Sequence, residues 1–282
     1  MRKFLGINKP GETLFQSIVT AAAIIILLLA FIPIILMLLL SFKSNVQIYG
    51  NFWSLPRPIQ WDNYNAAVKM LIPNMLNSTI VVSVSVVFTV LLGSTAGYVF
   101  ARLDFPGKKT LFMLVMSMMM VPGILTLTPG YDLIQQLHLK DTWFALFLPW
   151  IARGQVFGII LCRTFISGQP SALFESARLD GASELNAYYH IALPLARPIL
   201  ATLAIMKMVD YYNDFVWPLM VIDSSSKQVI TVAIKIFNAL YGVTNIGTMV
   251  AGFVFATIPL LLLFMAGSSF YIAGLTSGAV KV

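Results

Sequence analysis

An all-α, polytopic membrane protein is predicted by three features of this chain. Its mean hydropathy is +0.86. Apolar residues make up 59% of it and charged residues only 10%, against about 25% charged in a soluble domain. Several apolar runs exceed the roughly 20 residues that cross a bilayer as a helix. Inside hydrocarbon, backbone N–H and C=O groups must be satisfied within the segment itself, and a helix does this. Six spans are expected, near 14–42, 74–101, 110–128, 142–163, 195–221 and 247–273.

Residues 1–13 are basic and polar and form an N-terminal segment ahead of one transmembrane domain, 14–282. The run from Leu14 to Phe42 is too long for a signal-peptide core and lacks a cleavage site, so it is the first span, with Pro33 as a kink point. The connection 43–73 carries Trp53, Pro56, Pro58 and Trp61. Two readings fit it: aromatic anchoring at the membrane interface, or contact with an external protein. The next connection is a short turn at Asp104–Lys109, where Pro106 and Gly107 break the helix. The third span holds Met113, Met116, Met118, Met119 and Met120, which read as flexible filler. The fourth carries Arg153 and Gln155 beside Gly154, facing either a path or a partner helix.

Six spans put both termini on one side of the membrane. That side holds Arg2, Lys3, Lys9, Arg102, Lys108, Lys109, Arg163, Arg178, Arg197 and Lys281. The other holds Lys43, Arg57, Lys69, Lys140, Lys227 and Lys235. The excess of Lys and Arg marks the terminal side as cytoplasmic. The same loop bias accounts for the net charge of +7 without invoking nucleic acid.

A polar stretch, 170–194, sits between the fourth and fifth spans. Pro170 suits a helix start, because its missing N–H costs nothing in the first turn. Residues 171–180 are rich in helix formers, Gly181 permits a sharp turn, and Ser183 can cap a second short helix running to about His190. Pro194 is expected to end that helix and release the next span. Glu175 and Arg178, three apart, are placed to pair; Ala177 and Gly181, four apart, share a face that leaves a shallow place for a partner.

This stretch resembles the EAA loop of binding-protein-dependent ABC importer permeases: Glu-Ala-Ala, three residues, Gly, nine residues, Ile-x-Leu-Pro. Glu175, Ala177, Gly181, Ile191, Leu193 and Pro194 fall at the pattern's offsets, and Ser176 replaces the first Ala. Asn213-Asp-Phe-Val-Trp-Pro-Leu-Met and the C-terminal Gly274-Leu-Thr-Ser-Gly-Ala-Val-Lys resemble the carbohydrate-uptake class, in particular subunits similar to the maltose permease G protein. The resemblance implies the type I importer permease fold and a bacterial cytoplasmic-membrane location with both termini inside. It implies a second, non-identical permease, an extracytoplasmic solute-binding protein, and two ATPase subunits that carry the ATP and Mg, with no cofactor on this chain. It assigns ATPase coupling to Glu175, Ser176, Ala177, Arg178, Leu179, Asp180, Gly181, His190, Ile191 and Pro194. It also directs a C-terminal tail, 274–282, toward the ATPases through Gly274, Leu275, Thr276, Ser277 and Gly278. The solute it implies is a sugar or oligosaccharide; a non-sugar solute such as a glycerol phosphate is the alternative.

The fifth span carries the densest intramembrane chemistry. Lys207, Asp210, Tyr211, Asp214 and Trp217 fall on one helical face if the span is continuous. Charges in lipid cost several kcal/mol, so such a face lines protein or a water-filled path. Aromatic faces stack on sugars, and carboxylates and amides bond their hydroxyls. Arg153, Gln155, Tyr211, Tyr212, Asn213, Asp214 and Trp217 are therefore the candidate pathway residues. The competing reading is that Lys207 pairs with Asp210 or Asp214 to hold helices together.

Enzyme signatures are weak. There is no His-Glu-x-x-His and no Gly-x-Ser-x-Gly. Gly107-Lys108-Lys109-Thr110 looks like the end of a phosphate loop, but Arg102 stands where its first glycine belongs. Asp210 and Asp214 lie four apart on one span with no flanking motif for an intramembrane protease. His138 and His190 are isolated, so no metal site is expected, and the single cysteine, Cys162, precludes an intrachain disulfide.

Overall fold

A computed structural model describes residues 10–279 and the side chains of 15–267. The N-terminal segment's first nine residues, and the side chains of Gly274, Leu275, Thr276, Ser277 and Gly278, lie outside the described residues. Among the described residues every regular element is a helix. The helices are α1 Pro10–Ser41, α2 Asn45–Gly50, α3 Asp62–Arg102, α4 Lys108–Met118, α5 Leu127–Gln136 and α6 Phe144–Ser167. They continue with α7 Ser171–Leu179, α8 Glu184–Ala187, α9 Leu193–Tyr212, α10 Val216–Val221, α11 Ile230–Tyr241 and α12 Ile246–Ala279. Among the described residues, five helices are long and apolar enough to cross a membrane: Phe15–Ser41, Asp62–Arg102, Phe144–Ser167, Glu184–Tyr212 and Ile246–Gly267. A sixth span exists if α4 and Gly123–Gln136 count as one broken element, bent by 94°.

Two expected spans are interrupted. The third, expected as one helix over 110–128, stops at Met118 and resumes as a 3-10 turn, Gly123–Thr126, followed by α5. Pro122 and Gly123 sit at the break: proline has no N–H for the helix ladder, and glycine tolerates the turn. The fifth, expected over 195–221, breaks at Asn213–Phe215 between α9 and α10. Pro218 cannot donate to the carbonyl of Asp214, which instead accepts the Thr231 hydroxyl at 2.8 Å. The long connection 43–73 is also shorter than expected, because α3 begins at Asp62.

The chain divides into two compact units. One comprises Met1–Lys69 with Phe237–Phe255. In it α1 is exposed along its apolar length, as a lipid-facing helix would be. Lys43 is fully buried, and its ammonium donates to the Asn51 and Phe52 carbonyls and the Ser54 hydroxyl. Asn63 ties the unit together, donating to the Ser41 and Lys43 carbonyls and accepting from the Thr248 hydroxyl.

The other unit comprises Met70–Ile236 with Ala256–Val282. Here α3 and α6 approach backbone to backbone. A Cβ on Gly97 would lie 2.6 Å from that of Cys162, and one on Gly154 would overlap the Tyr211 hydroxyl and Thr89. Small residues at four-residue spacing let helices close like this in lipid, where no hydrophobic effect pulls them together. At the C-terminal end of α6, Tyr98, Cys162, Ile166, Phe174, Tyr188 and Leu203 belong to one buried cluster.

Before α6, at its other end, Asp141 clips the connection between α10 and α11. Its carboxylate accepts from the Asp223 amide, from the Ser224 amide and hydroxyl, and from the Lys227 ammonium. Asn74 and Asn77 of α3 hold the same connection by donating to the carbonyls of Ser225, Ser226 and Gln228. The Ser224 hydroxyl bond, then the Ser224 backbone bond and the Lys227 charge, hold the Asp141 carboxyl well below the usual carboxylate range.

Candidate functional site

Two places in the second unit carry the candidate residues: the connection after α6 and the break after α9.

After α6, Gln169 is buried and donates to the Ala192 carbonyl at 3.3 Å, which closes the base of the connection. Pro170 stands at the N-cap of α7, one residue ahead of the first turn expected for it, and makes no side-chain cap. Gly181 adopts φ 81°, and the Gly181 and Ala182 amides donate to the Arg178 and Ala177 carbonyls. That pair of bonds is the Schellman ending, in which a left-handed residue satisfies the last helical carbonyls. A Cβ on Gly181 would meet nothing within 4 Å, so the turn needs glycine for its backbone rather than for space within this chain. The Ser183 hydroxyl then accepts from the Asn186 amide to cap α8.

From α8 the chain does not stop at Pro194, contrary to expectation. It passes through a π turn, Tyr188–Ala192, directly into α9, giving one element over Glu184–Tyr212. The Leu193 amide reaches back to the Tyr188 carbonyl, so the ladder shifts before the proline ring arrives. Pro194, which has no N–H to give to the ladder, follows directly on that shifted turn.

The expected Glu175–Arg178 pair does not form. The Arg178 guanidinium donates to Glu184 at 2.8 Å, and the other Glu184 oxygen accepts from the Tyr98 hydroxyl at 2.8 Å. Arg102 lies 4.1 Å over the Phe174 ring and donates to the Ile166 and Gln169 carbonyls. The underside of the loop is thus fastened to α3 and α6. Its outer surface is open: Glu175, Ser176, Asp180 and His190 are exposed, and Leu179 is 88% exposed. Leu185 and Tyr189, absent from the sequence-derived set, are exposed beside them, while Ile191 packs inward. The His190 Nδ1 contacts the Asn186 carbonyl at 3.1 Å.

At the break after α9, the pathway candidates separate. Arg153 and Trp217 line a cavity of about 530 Å³ with Trp150, Phe157 and Gly130. Arg153, Asn213 and Asp214 line an adjoining one of about 380 Å³ with Asp210. Asp214 accepts from the Trp150 indole at 2.8 Å, from Arg153 at 3.3 Å and from the Trp217 amide at 3.3 Å. Lys207 pairs with Asp210 at 3.1 Å. Tyr211, Tyr212 and Gln155 do not belong to this group. Tyr211 is buried, stacked on Trp150, and bonded to the Trp150 carbonyl and Thr89. Tyr212 is buried and donates to the Ala256 carbonyl. Gln155 points at α3, toward the Thr89 carbonyl. The single helical face expected for Lys207 to Trp217 does not exist, because the helix breaks at Asn213. Trp217 is also anchored in the core, its indole donating to the Ala145 carbonyl at 2.8 Å.

Residues 89–273 match the family model described as the binding-protein-dependent transport system inner membrane component. The chain belongs to this family. Full-length relatives agree. A probable ABC transporter permease, YurM of Bacillus subtilis, is 32% identical, covering 88% of this chain and 83% of that protein. The arabinooligosaccharides permease AraQ of Halalkalibacterium halodurans is 31% identical over 89% and 91% of the two chains. The melibiose/raffinose/stachyose import permease MelC of Bacillus subtilis is 30% identical over 97% and 99%. In fold, the chain is similar to a solved bacterial ABC transporter that imports alginate, with TM-score 0.80, 21% identity, and coverage of 94% and 99%. This chain is a multi-pass permease subunit of an ABC importer, a transport component and not an enzyme.

Proposed function

We propose that this subunit moves a neutral sugar or oligosaccharide, handed over by an extracytoplasmic solute-binding protein, through a path shared with a second, non-identical permease. Two ATPase subunits carrying ATP and Mg dock on the 170–194 loop, with the chain's termini and the 274–282 tail on that same cytoplasmic side. Their closure on ATP pulls the loop and rocks the spans, switching access from one side to the other.

The observation that carries this reading is the loop itself: the Glu175–Pro194 pattern folds as a capped helix, turn and helix, fastened beneath and open above. The exposed Leu179, Leu185 and Tyr189 give it an apolar surface suited to a protein partner. The solute class is supported by the relatives named for arabinooligosaccharides and for melibiose, raffinose and stachyose. It is supported too by the charge balance at the break after α9: Arg153 is paired with Asp214, and Lys207 with Asp210. A glycerol phosphate would favour a site with excess positive charge, whereas the two balanced pairs, with the partly exposed Phe157 ring on the cavity wall, suit an uncharged sugar.

The test is co-expression of this chain with its neighbouring transport genes, purification, and reconstitution. A complex with a second permease and an ATPase, whose hydrolysis rises with saccharide-loaded binding protein, is expected. An active homodimer without partners, or stimulation by a phosphorylated solute alone, would contradict it.

A further inference from the structure

We infer that the cleft between the start of α4 and the end of α6 binds the headgroup phosphate of an anionic phospholipid. The cleft has a volume of about 650 Å³ and is lined by the turn 104–110, by Phe100 and Phe112, and by Arg163 of α6. It lies at the loop-bearing end of α6, where a spanning helix leaves the hydrocarbon.

Its charges do not cancel. The Lys108 ammonium is already engaged, donating to the Leu103 carbonyl at 2.6 Å and to Asp104 at 3.1 Å. Among the described residues, neither Lys109 nor Arg163 has an ion pair. Arg163 lies with its guanidinium 3.9 Å over the Phe112 ring, and its buried Nε has no acceptor. Two uncompensated cations therefore face one cleft, in a chain that pairs its charges at the break after α9. Gly107, at φ 81°, opens α4 without a side-chain cap, so the first-turn amides add partial positive charge on the same side.

The walls match the rest of the ligand. The Phe100 ring packs against Phe105 at 5.9 Å and against Phe112 at 5.5 Å between centroids, and the exposed Met113 continues the apolar wall along α4. A free phosphate would use only the cations; a phospholipid uses both cations and apolar wall. Basic pockets at helix ends on the membrane surface are suited to such headgroups. This site is separate from the solute path and does not depend on the solute's identity.

Lipid binding to the purified full-length chain, read by native mass spectrometry during delipidation, tests it. Phosphatidylglycerol should be retained at least tenfold more tightly than phosphatidylcholine. The double variant Lys109→Gln, Arg163→Gln should lose that preference, whereas Arg197→Gln, which removes a charge at the same end, should keep it. Arg163→Lys, which keeps the charge, should retain most of it and guards against a folding defect in the double variant. Millimolar inorganic phosphate should leave the lipid bound. Equal retention of the two lipids, an undiminished preference in the double variant, or complete displacement by phosphate would each overturn the assignment.

Discussion

Arg178 reaches across the Gly181 turn to Glu184 at 2.8 Å, and Glu184 holds the Tyr98 hydroxyl with its other oxygen. The two short helices of the loop are thereby tied to each other and to α3. The bond to Glu184 also raises the Arg178 pKa above its ordinary value.

Removing this tie should loosen the loop by a small, ordered amount. Exposed pairs are worth about 0.2–1 kcal/mol, and a hydrogen bond about 0.5–1.5 kcal/mol net. Glu184→Ala deprives the Arg178 guanidinium and the Tyr98 hydroxyl of their acceptor at 2.8 Å each, whereas Arg178→Ala loses the Glu184 bond and a longer one, 3.4 Å, to the Arg102 carbonyl, so Glu184→Ala should lower the Tm more. A double-mutant cycle on thermal unfolding should give a coupling of roughly 0.5 kcal/mol between the two. A larger loss from Arg178→Ala would contradict this arrangement.

Gly181→Arg should reach the membrane at normal levels yet abolish uptake and stimulated ATP hydrolysis. Within this chain the new side chain meets open space, so the intrinsic cost is the left-handed backbone, about 1–2 kcal/mol. Gly181→Ala carries the same backbone cost without the bulk and should keep most activity. Equal loss in both would make the defect conformational, and normal uptake in Gly181→Arg would remove the loop from coupling.

At the break after α9, the partners of each side chain now separate transport from stability. Arg153 is half exposed and borders both cavities, so Arg153→Gln should reduce saccharide uptake about two- to tenfold at full yield, the loss of one net hydrogen bond. Asp214→Asn should instead lower yield, because one of the two oxygens that accept from Trp150, Arg153 and the Trp217 amide becomes an NH2 donor in either orientation of the amide. The paired change Lys207→Met with Asp210→Leu should restore the yield that Lys207→Ala loses. If it restores full uptake as well, that pair is structural alone.

The Asp141 clip supplies a pH prediction. Its folded pKa lies below its unfolded value, so its stabilising contribution is fully present above the unfolded value, about 4, and fades only as pH falls through the folded one. Hydrogen-exchange protection of the Asp223 and Ser224 amides, corrected for intrinsic rates, should be the same at pH 7 and pH 5. Asp141→Ala should reduce that protection about tenfold at both. A marked loss in the native chain between pH 7 and pH 5 would show that the carboxylate is not held as described.

Much of this protein was legible in the residues. Apolar runs of bilayer length need no tertiary information, because lipid forces each to satisfy its own backbone, and the spans near 14–42, 142–163 and 247–273 follow directly. The loop's start at Pro170, turn at Gly181 and cap at Ser183 were legible for the same reason: each is a local backbone requirement. The break at Pro122-Gly123 carried a turn signal that hydropathy overrode. What lay beyond the sequence was partner choice. Arg178 has Glu175 and Glu184 within reach along the chain, and only the fold of the Gly181 turn brings the second to it. Tyr211 looked like a sugar-binding ring until Trp150 and Thr89 arrived from other helices to enclose it. Local propensity is written in neighbouring residues; which side chain ends up buried or facing a cavity depends on helices far away in sequence, and the close α3–α6 approach at Gly97 and Gly154 determines that here.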